Sequence, residues 1–234
     1  MLKGSKTCNK AGITLLTNLI AISFDDGYLD HVKAAYLLRR LGVRATFYLI
    51  THLKHWNRKP LLATQPELIA NIAELGHEIG SHTCTHKNLR KLQLGDLIFE
   101  LKLSKKVLED ITGMEVLGLA YPWGLYNPKV LEIAPRYYDY CRTTEFNLNN
   151  VELINSPPRS RYEIGAVAGF SMRDGFKKML VNVMKVKHWH LVLYTHVVQP
   201  FKLITFVNIM KSLNVRFVTV SELVAHLYRE YGVI

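Results

Sequence analysis

The tripeptide Asp25-Asp26-Gly27 closes an apolar run, and His82-Thr83-Cys84-Thr85-His86 follows further along the chain. Two imidazoles four residues apart can converge on one divalent ion, from one side of a helical turn or from a loop. An aspartate completes a three-ligand set that leaves positions open for water and substrate. The second aspartate is then free to act as a base on that water. Each piece has a plainer reading alone: the aspartates as caps of the next helix, the histidines as surface groups. Two acidic groups behind an apolar strand are costly unless paired or metal-bound, which favours the joint reading. In a regular strand the two carboxylates would point to opposite faces, and Gly27 allows the turn that brings both to one pocket. Cys84, between the histidines, reads as a small packed residue.

These groups need rigid elements behind them, and the chain alternates strand and helix. Residues 19–24, 45–50, 78–80, 116–121, 140–143, 191–195 and 216–220 read as strands. Residues 31–41, 66–75, 96–111, 127–134, 174–186 and 205–213 read as helices, and Ser221 as the cap of a last helix to about Tyr231. Residues 145–162, rich in Asn, Ser and Pro, read as a loop. Leu19–Phe24 is compact and apolar throughout, as in a parallel strand buried on both faces. Repeated strand–helix units with short connections argue one parallel α/β architecture. Asp25-Asp26, His82/His86, Pro122-Trp123 and His196 all fall at the carboxyl ends of strands, the rim where βα-barrels place active sites.

A chain of 234 residues suits one domain, here 1–234, and 49% apolar with 21% charged residues excludes a disordered class. The net charge of +11 draws the protein to anionic surfaces. The basic residues are scattered, with no dense arm and no nucleic-acid motif, so nucleic acid is not an expected partner. Cys8, Cys84 and Cys141 form no disulfide framework and fit a reducing compartment. Residues 13–24 mimic a short signal core behind Lys3, Lys6 and Lys10, but cleavage there would remove the first strand. No apolar run reaches the roughly 20 residues of a membrane span. The expected location is cytoplasmic, with a peripheral place at the inner membrane face as the variant. His188-Trp189-His190, beside Lys185 and Lys187, reads as surface.

Ser23-Phe-Asp-Asp-Gly27 and Gly76-His-Glu-Ile-Gly-Ser-His-Thr-Cys-Thr-His86 resemble the first two signatures of the polysaccharide deacetylases, the NodB-homology domain of carbohydrate esterase family four. The resemblance continues in 41–48, Thr112-Gly113, 119–127, Leu193-Tyr-Thr-His196 and 217–223, and covers roughly 18–225 in the family's order. It implies a distorted (β/α) barrel of seven or eight parallel strands. It also implies a metal-dependent hydrolase that removes N-acetyl groups from amino sugars of an N-acetylglucosamine-containing glycan. Asp26, His82 and His86 would be the metal ligands and Asp25 the base. The Trp123 backbone N–H would hold the oxyanion and His196 would be the acid that protonates the leaving amine. One divalent ion is implied, zinc first, with cobalt, nickel, iron or manganese also suited to two imidazoles and one carboxylate.

The chain departs from the pattern in three places. The family's third signature often begins with an arginine that pairs with the base, and here that position is Ala120. Arg161 resembles the substitute used by a subgroup, with Arg159 as fallback. The Asp-x-x-Asp-Trp signature that tunes the acid is missing, and Asp174 is a weak stand-in. The usual leucine two before the acid histidine is Tyr194. Tyr121, Trp123 and Tyr126 could stack on a sugar ring. The alternative readings are a deacylase or deformylase of a lipid-linked sugar at an anionic membrane, an acetylxylan esterase, or an inactive glycan-binding domain.

Overall fold

The computed structural model describes residues 18–144, 158–169 and 189–232. Strand β1 is Leu19–Phe24, all six residues buried. Helix α1 (His31–Arg40) returns to β2 (Thr46–Leu49), and a hairpin of β3 (His55–Trp56) and β4 (Lys59–Pro60) follows. Then come α2 (Pro66–Glu74), β5 (Glu78–Ser81), α3 (Leu94–Thr112), β6 (Gly118–Ala120), α4 (Pro128–Ile133) and β7 (Tyr140–Arg142). The described remainder is β8 (Val167–Ala168), β9 (His190–Thr195), α5 (Pro200–Ser212), β10 (Arg216–Val218) and α6 (Val220–Tyr231). The helix expected over 174–186, with Asp174 in it, lies outside the described residues, as do Cys8 and His188.

Among the described residues, eight strands form one parallel sheet in the order β7-β6-β5-β2-β1-β9-β8, with β10 also on β1. β1 is the crowded centre. β9 runs along its whole length on one side. On the other, β10 pairs with Leu19–Ala21 and β2 with Ser23–Phe24. The sheet curls until β7 meets the segment before β8 through the parallel bridge Arg142↔Ile164. Ile164 N–H donates to Cys141 O at 3.0 Å and Thr143 N–H to Ile164 O at 2.8 Å. The distorted barrel expected from the sequence is therefore the fold.

The curl divides the core in two, which is why β1 is apolar on both faces. Ile20, Ile22 and Phe24 face the layer of helices outside the barrel. Leu19 and Ala21 face inward with Tyr48, Ala120, Tyr140 and Val192. Helix α6 closes the barrel floor with Val220, Leu223, Val224 and Leu227. Its cap is Thr219, not Ser221 as the sequence suggests. The Thr219 side chain accepts from Glu222 N, and Glu222 reaches back to the Thr219 N–H, a capping box.

The β3–β4 hairpin is absent from the sequence reading. Its turn residues Asn57 and Arg58 both have positive φ, 47° and 63°. That is the backbone of a two-residue hairpin turn, but arginine at the second position hides a signal normally carried by glycine. Among the described residues, no helix is long and apolar enough to cross a membrane.

Candidate active site and metal centre

The chain leaves β1 through a turn that few residues tolerate. Asp26 and Gly27 both sit at φ 73°. A Cβ on Gly27 would lie 2.8 Å from Leu49 Cδ2 and 3.3 Å from Leu49 Cα. Glycine is thus required by both conformation and space. A left-handed aspartate is uncommon and marks a functional constraint when the surroundings enforce it. Here the flip at Asp26 turns its side chain to the same pocket as Asp25.

The histidine pair converges from a loop after β5, not from a helix. Thr83 and His86 take φ 69° and 54°. His86 N–H donates to Thr83 Oγ1 at 3.0 Å. Glu100, buried on α3, accepts from Cys84 N and Thr85 N at 2.9 Å each, and from the Thr85 hydroxyl. This carboxylate ties down the middle of the loop, and sequence reading missed it. His82 Nδ1 lies 2.8 Å from Ala120 O, so its Nε2 is the free nitrogen. His82 Nε2 is 3.5 Å and His86 Nε2 3.6 Å from Asp26 Oδ1. Ligand atoms of Asp26, His82 and His86 all fall within 4.8 Å of one another.

These residues fit a divalent ion. Asp26 Oδ1 is buried with no hydrogen-bond partner among the described residues, an arrangement that costs free energy without a cation. Burial pushes the Asp26 carboxyl up. The adjacent His82 ring and the charges of His196 and His86 outweigh it and hold the group well below the usual carboxylate range. Burial pushes the His86 imidazole down to about 3, with His82 adding to it, so the ring is neutral and able to donate a lone pair. His86 is packed between two indoles, with centroids 4.5 Å from Trp56 and 4.3 Å from Trp123.

Asp25 is 2% exposed, and its Oδ2 accepts from Arg142 Nη2 at 2.5 Å. Its Oδ1 has no partner among the described residues. The arginine beside Asp25 is therefore Arg142, which sequence reading missed, and not Arg161 or Arg159. Arg161 stands before the bridge to β7, on the side of the barrel floor, where its guanidinium lies 5.2 Å from the Tyr228 ring of α6. Arg159 is exposed. Arg142 ends β7 at the same rim as Asp25 and is the register partner of Ala120. The available signal was a basic residue at the carboxyl end of an apolar strand.

His196 follows β9 with its side chain 45% exposed and Nε2 3.8 Å from Asp26 Oδ2. Trp123 sits in the Pro122–Gly124 turn at φ 54°, its side chain half exposed. Asp25, Asp26, His82, His86, Trp123 and His196 line one cavity of about 380 Å³, joined by Tyr28, Trp56 and Tyr194. Tyr121 also lines it but is fully buried and donates to Tyr162 O, so it is packing and not a platform. Tyr126 packs on Tyr121 and donates to Glu163, outside the lining.

The family model described as polysaccharide deacetylase matches residues 14–138 of this chain. A putative polysaccharide deacetylase of Bacillus subtilis, YxkH, is 33% identical over 128 residues, which is 54% of this chain and 44% of that protein. The peptidoglycan-N-acetylglucosamine deacetylase PgdA of Listeria monocytogenes is 30% identical over 115 residues, 48% of this chain and 23% of its own length. The matched region spans less than half of these curated relatives. The Xyl-CE4 domain of a multidomain xylanase from the hindgut metagenome of Trinervitermes trinervoides has a TM-score of 0.63 at 20% identity and 92% coverage of both chains, a likeness of fold. With the family model matching more than half of its length, the chain belongs to the polysaccharide deacetylase family.

Proposed function

We propose that the protein is a metal-dependent hydrolase that removes N-acetyl groups from N-acetylglucosamine-containing glycans. The observation that carries this reading is the convergence of Asp25, Asp26, His82, His86 and His196 on one cavity. The name of PgdA supports the substrate class.

Asp26, His82 and His86 would hold the ion, zinc first on the donor set, with cobalt, nickel, iron or manganese as alternatives. When bound, the ion would supply Lewis-acid polarisation of the acyl carbonyl and a lowered pKa for water. Asp25 takes a proton from the attacking water on its free Oδ1 while Oδ2 stays paired with Arg142. The Trp123 backbone N–H would hold the developing oxyanion, a role that needs only the amide. His196 gives a proton to the leaving amine. Amide cleavage needs this acid because an unprotonated amine is a poor leaving group, so retention of both Asp25 and His196 favours turnover over a binding-only role.

The test is acetate release from N-acetylglucosamine oligomers and acetylated xylan, with chelation followed by zinc or cobalt add-back. Metal-restored release from the oligomers is expected. Release from xylan alone would move the reading to an ester substrate. No release from metal-loaded protein would overturn deacetylation of either substrate.

A further inference from the structure

We infer that Tyr194 and Tyr48 are positioning residues that clamp the Arg142 guanidinium between their rings and so hold the Asp25 carboxylate in place for proton transfer. This rests on Asp25 being the base. Arg142 is 0% exposed, yet it is poorly hydrogen-bonded for a group with five N–H donors. Nη2 donates to Asp25 at 2.5 Å, Nη1 reaches Thr143 O at 3.5 Å, and Nε has no partner among the described residues. A buried cation so sparsely bonded needs another source of stabilisation. It lies 5.1 Å from the Tyr48 ring centroid and 5.2 Å from that of Tyr194. Both distances fall within the about 6 Å at which an aromatic face attracts a cation.

Register explains why a clamp is needed here. Ala120 and Arg142 are partners on adjacent strands, and Ala120 points into the barrel. The arginine has moved one strand over from the place where the family's third signature often carries it. Ala120 carries no long side chain there, and the guanidinium reaches Asp25 from β7 instead. The chain's other departure, Tyr194 in place of leucine, stands on the face of that relocated group. The two departures are then one compensated change.

The Tyr48 ring is itself fixed. The Tyr48 hydroxyl is 2.9 Å from the Tyr140 hydroxyl, and Tyr140 donates to Glu78 Oε1 at 2.8 Å. Glu78 Oε2 accepts from Thr46 Oγ1 at 2.6 Å and from Ser221 N–H, in the first turn of α6, at 3.2 Å. The two phenol rings lie over glycines. A Cβ at Gly80 would meet the Tyr48 ring at 2.4 Å, and one at Gly118 the Tyr140 ring at 2.1 Å. The clamp is thus anchored to the barrel floor. Tyr194 lines the cavity, and its ring meets that of His196 edge-on, at 5.7 Å and 88°. One side chain touches both the arginine behind the base and the acid.

The ring and not the hydroxyl of Tyr194 carries this role, so Tyr194→Phe and Tyr194→Leu separate it from packing. Leucine is the residue the family's pattern places there, and the barrel should accept it. Tyr194→Phe is expected to keep kcat within about threefold, while Tyr194→Leu lowers kcat about 100-fold, the order expected for an ångström of misplacement, with KM and bound metal unchanged. Nitrogen-15 NMR of the Arg142 guanidinium provides a readout independent of turnover. Restricted rotation in wild type and Tyr194→Phe should give way to averaged signals in Tyr194→Leu. Wild-type kcat, or unchanged guanidinium signals, in the leucine variant would overturn the clamp. If those signals respond as expected and wild type deacetylates nothing, the clamp stands and the assigned reaction falls. Should the leucine variant not fold, Tyr194→Met serves the same comparison.

Discussion

Asp25 divides its two oxygens between tasks: Oδ2 accepts from Arg142, and Oδ1 is left without a partner among the described residues. Asn at this position keeps the shape but cannot take up a proton. Asp25→Asn is expected to retain the metal and lose about 10²- to 10⁴-fold in kcat, the usual worth of a positioned base. Metal content and acetate release measured on one preparation check both halves. His82→Ala should instead lose the metal and all metal-restored activity. Gly27 tests the turn between base and ligand. Gly27→Ala places a Cβ 2.8 Å from Leu49 Cδ2 at φ 73°, and should lower stability by about 1–3 kcal/mol, read from the urea midpoint. The sequence made the acid, base and ligand candidates legible because their residue types and spacing are local. It did not reveal that Asp26 itself adopts the left-handed conformation.

At the scale of elements, α3 controls the histidine loop through one buried carboxylate. Glu100→Ala would leave the buried Cys84 N–H and the part-buried Thr85 N–H unpaired, the former costing about 1–3 kcal/mol unless the loop moves. The expected result is about 10- to 100-fold weaker zinc binding with a lowered Tm. Isothermal titration alongside a melt would show it, and unchanged zinc affinity would free the loop from α3. Most strands and helices were legible from apolar runs and their glycine or proline ends. The hairpin β3–β4 was not, because Asn57-Arg58 lacks the glycine that announces such a turn. It brings Trp56 against His86, so the missed element shapes the site. β8 is only two residues long and is recognised by what it pairs with.

For the whole molecule, acid should destabilise the fold through histidines outside the ligand set. His31, the first residue of α1, is fully buried, and burial depresses it to about 4 against the opposing pull of Asp30. His190, at the start of β9, is likewise depressed to about 4 by burial and by His226. The unfolded imidazoles take up protons near pH 6.5 and the folded ones only near 4. The unfolded chain therefore binds more protons across that window, and stability falls as pH drops through it. Melts of metal-free protein from pH 7.5 to 4 should show a falling Tm. His31→Phe should flatten the slope if the ring space accepts it, and a pH-independent Tm would contradict the assigned shifts.

By itself the sequence determined the fold class and named the candidate set Asp25, Asp26, His82, His86 and His196 on one rim. Those follow from strand ends, turn-permitting glycine and ligand spacing, all encoded within short stretches. The tertiary structure alone decided which arginine meets Asp25. Arg142 and Asp25 are 117 residues apart, one ending β7 and the other following β1, strands that are not neighbours in the sheet. Their contact exists because the sheet curls into a barrel, the register sets Arg142 beside Ala120, and the rings of Tyr194 and of Tyr48, the latter seated over Gly80, hold the guanidinium inside. Strand order, register and curl are collective properties of the packed chain, and the strand-end position of Arg142 does not by itself say which carboxylate it meets.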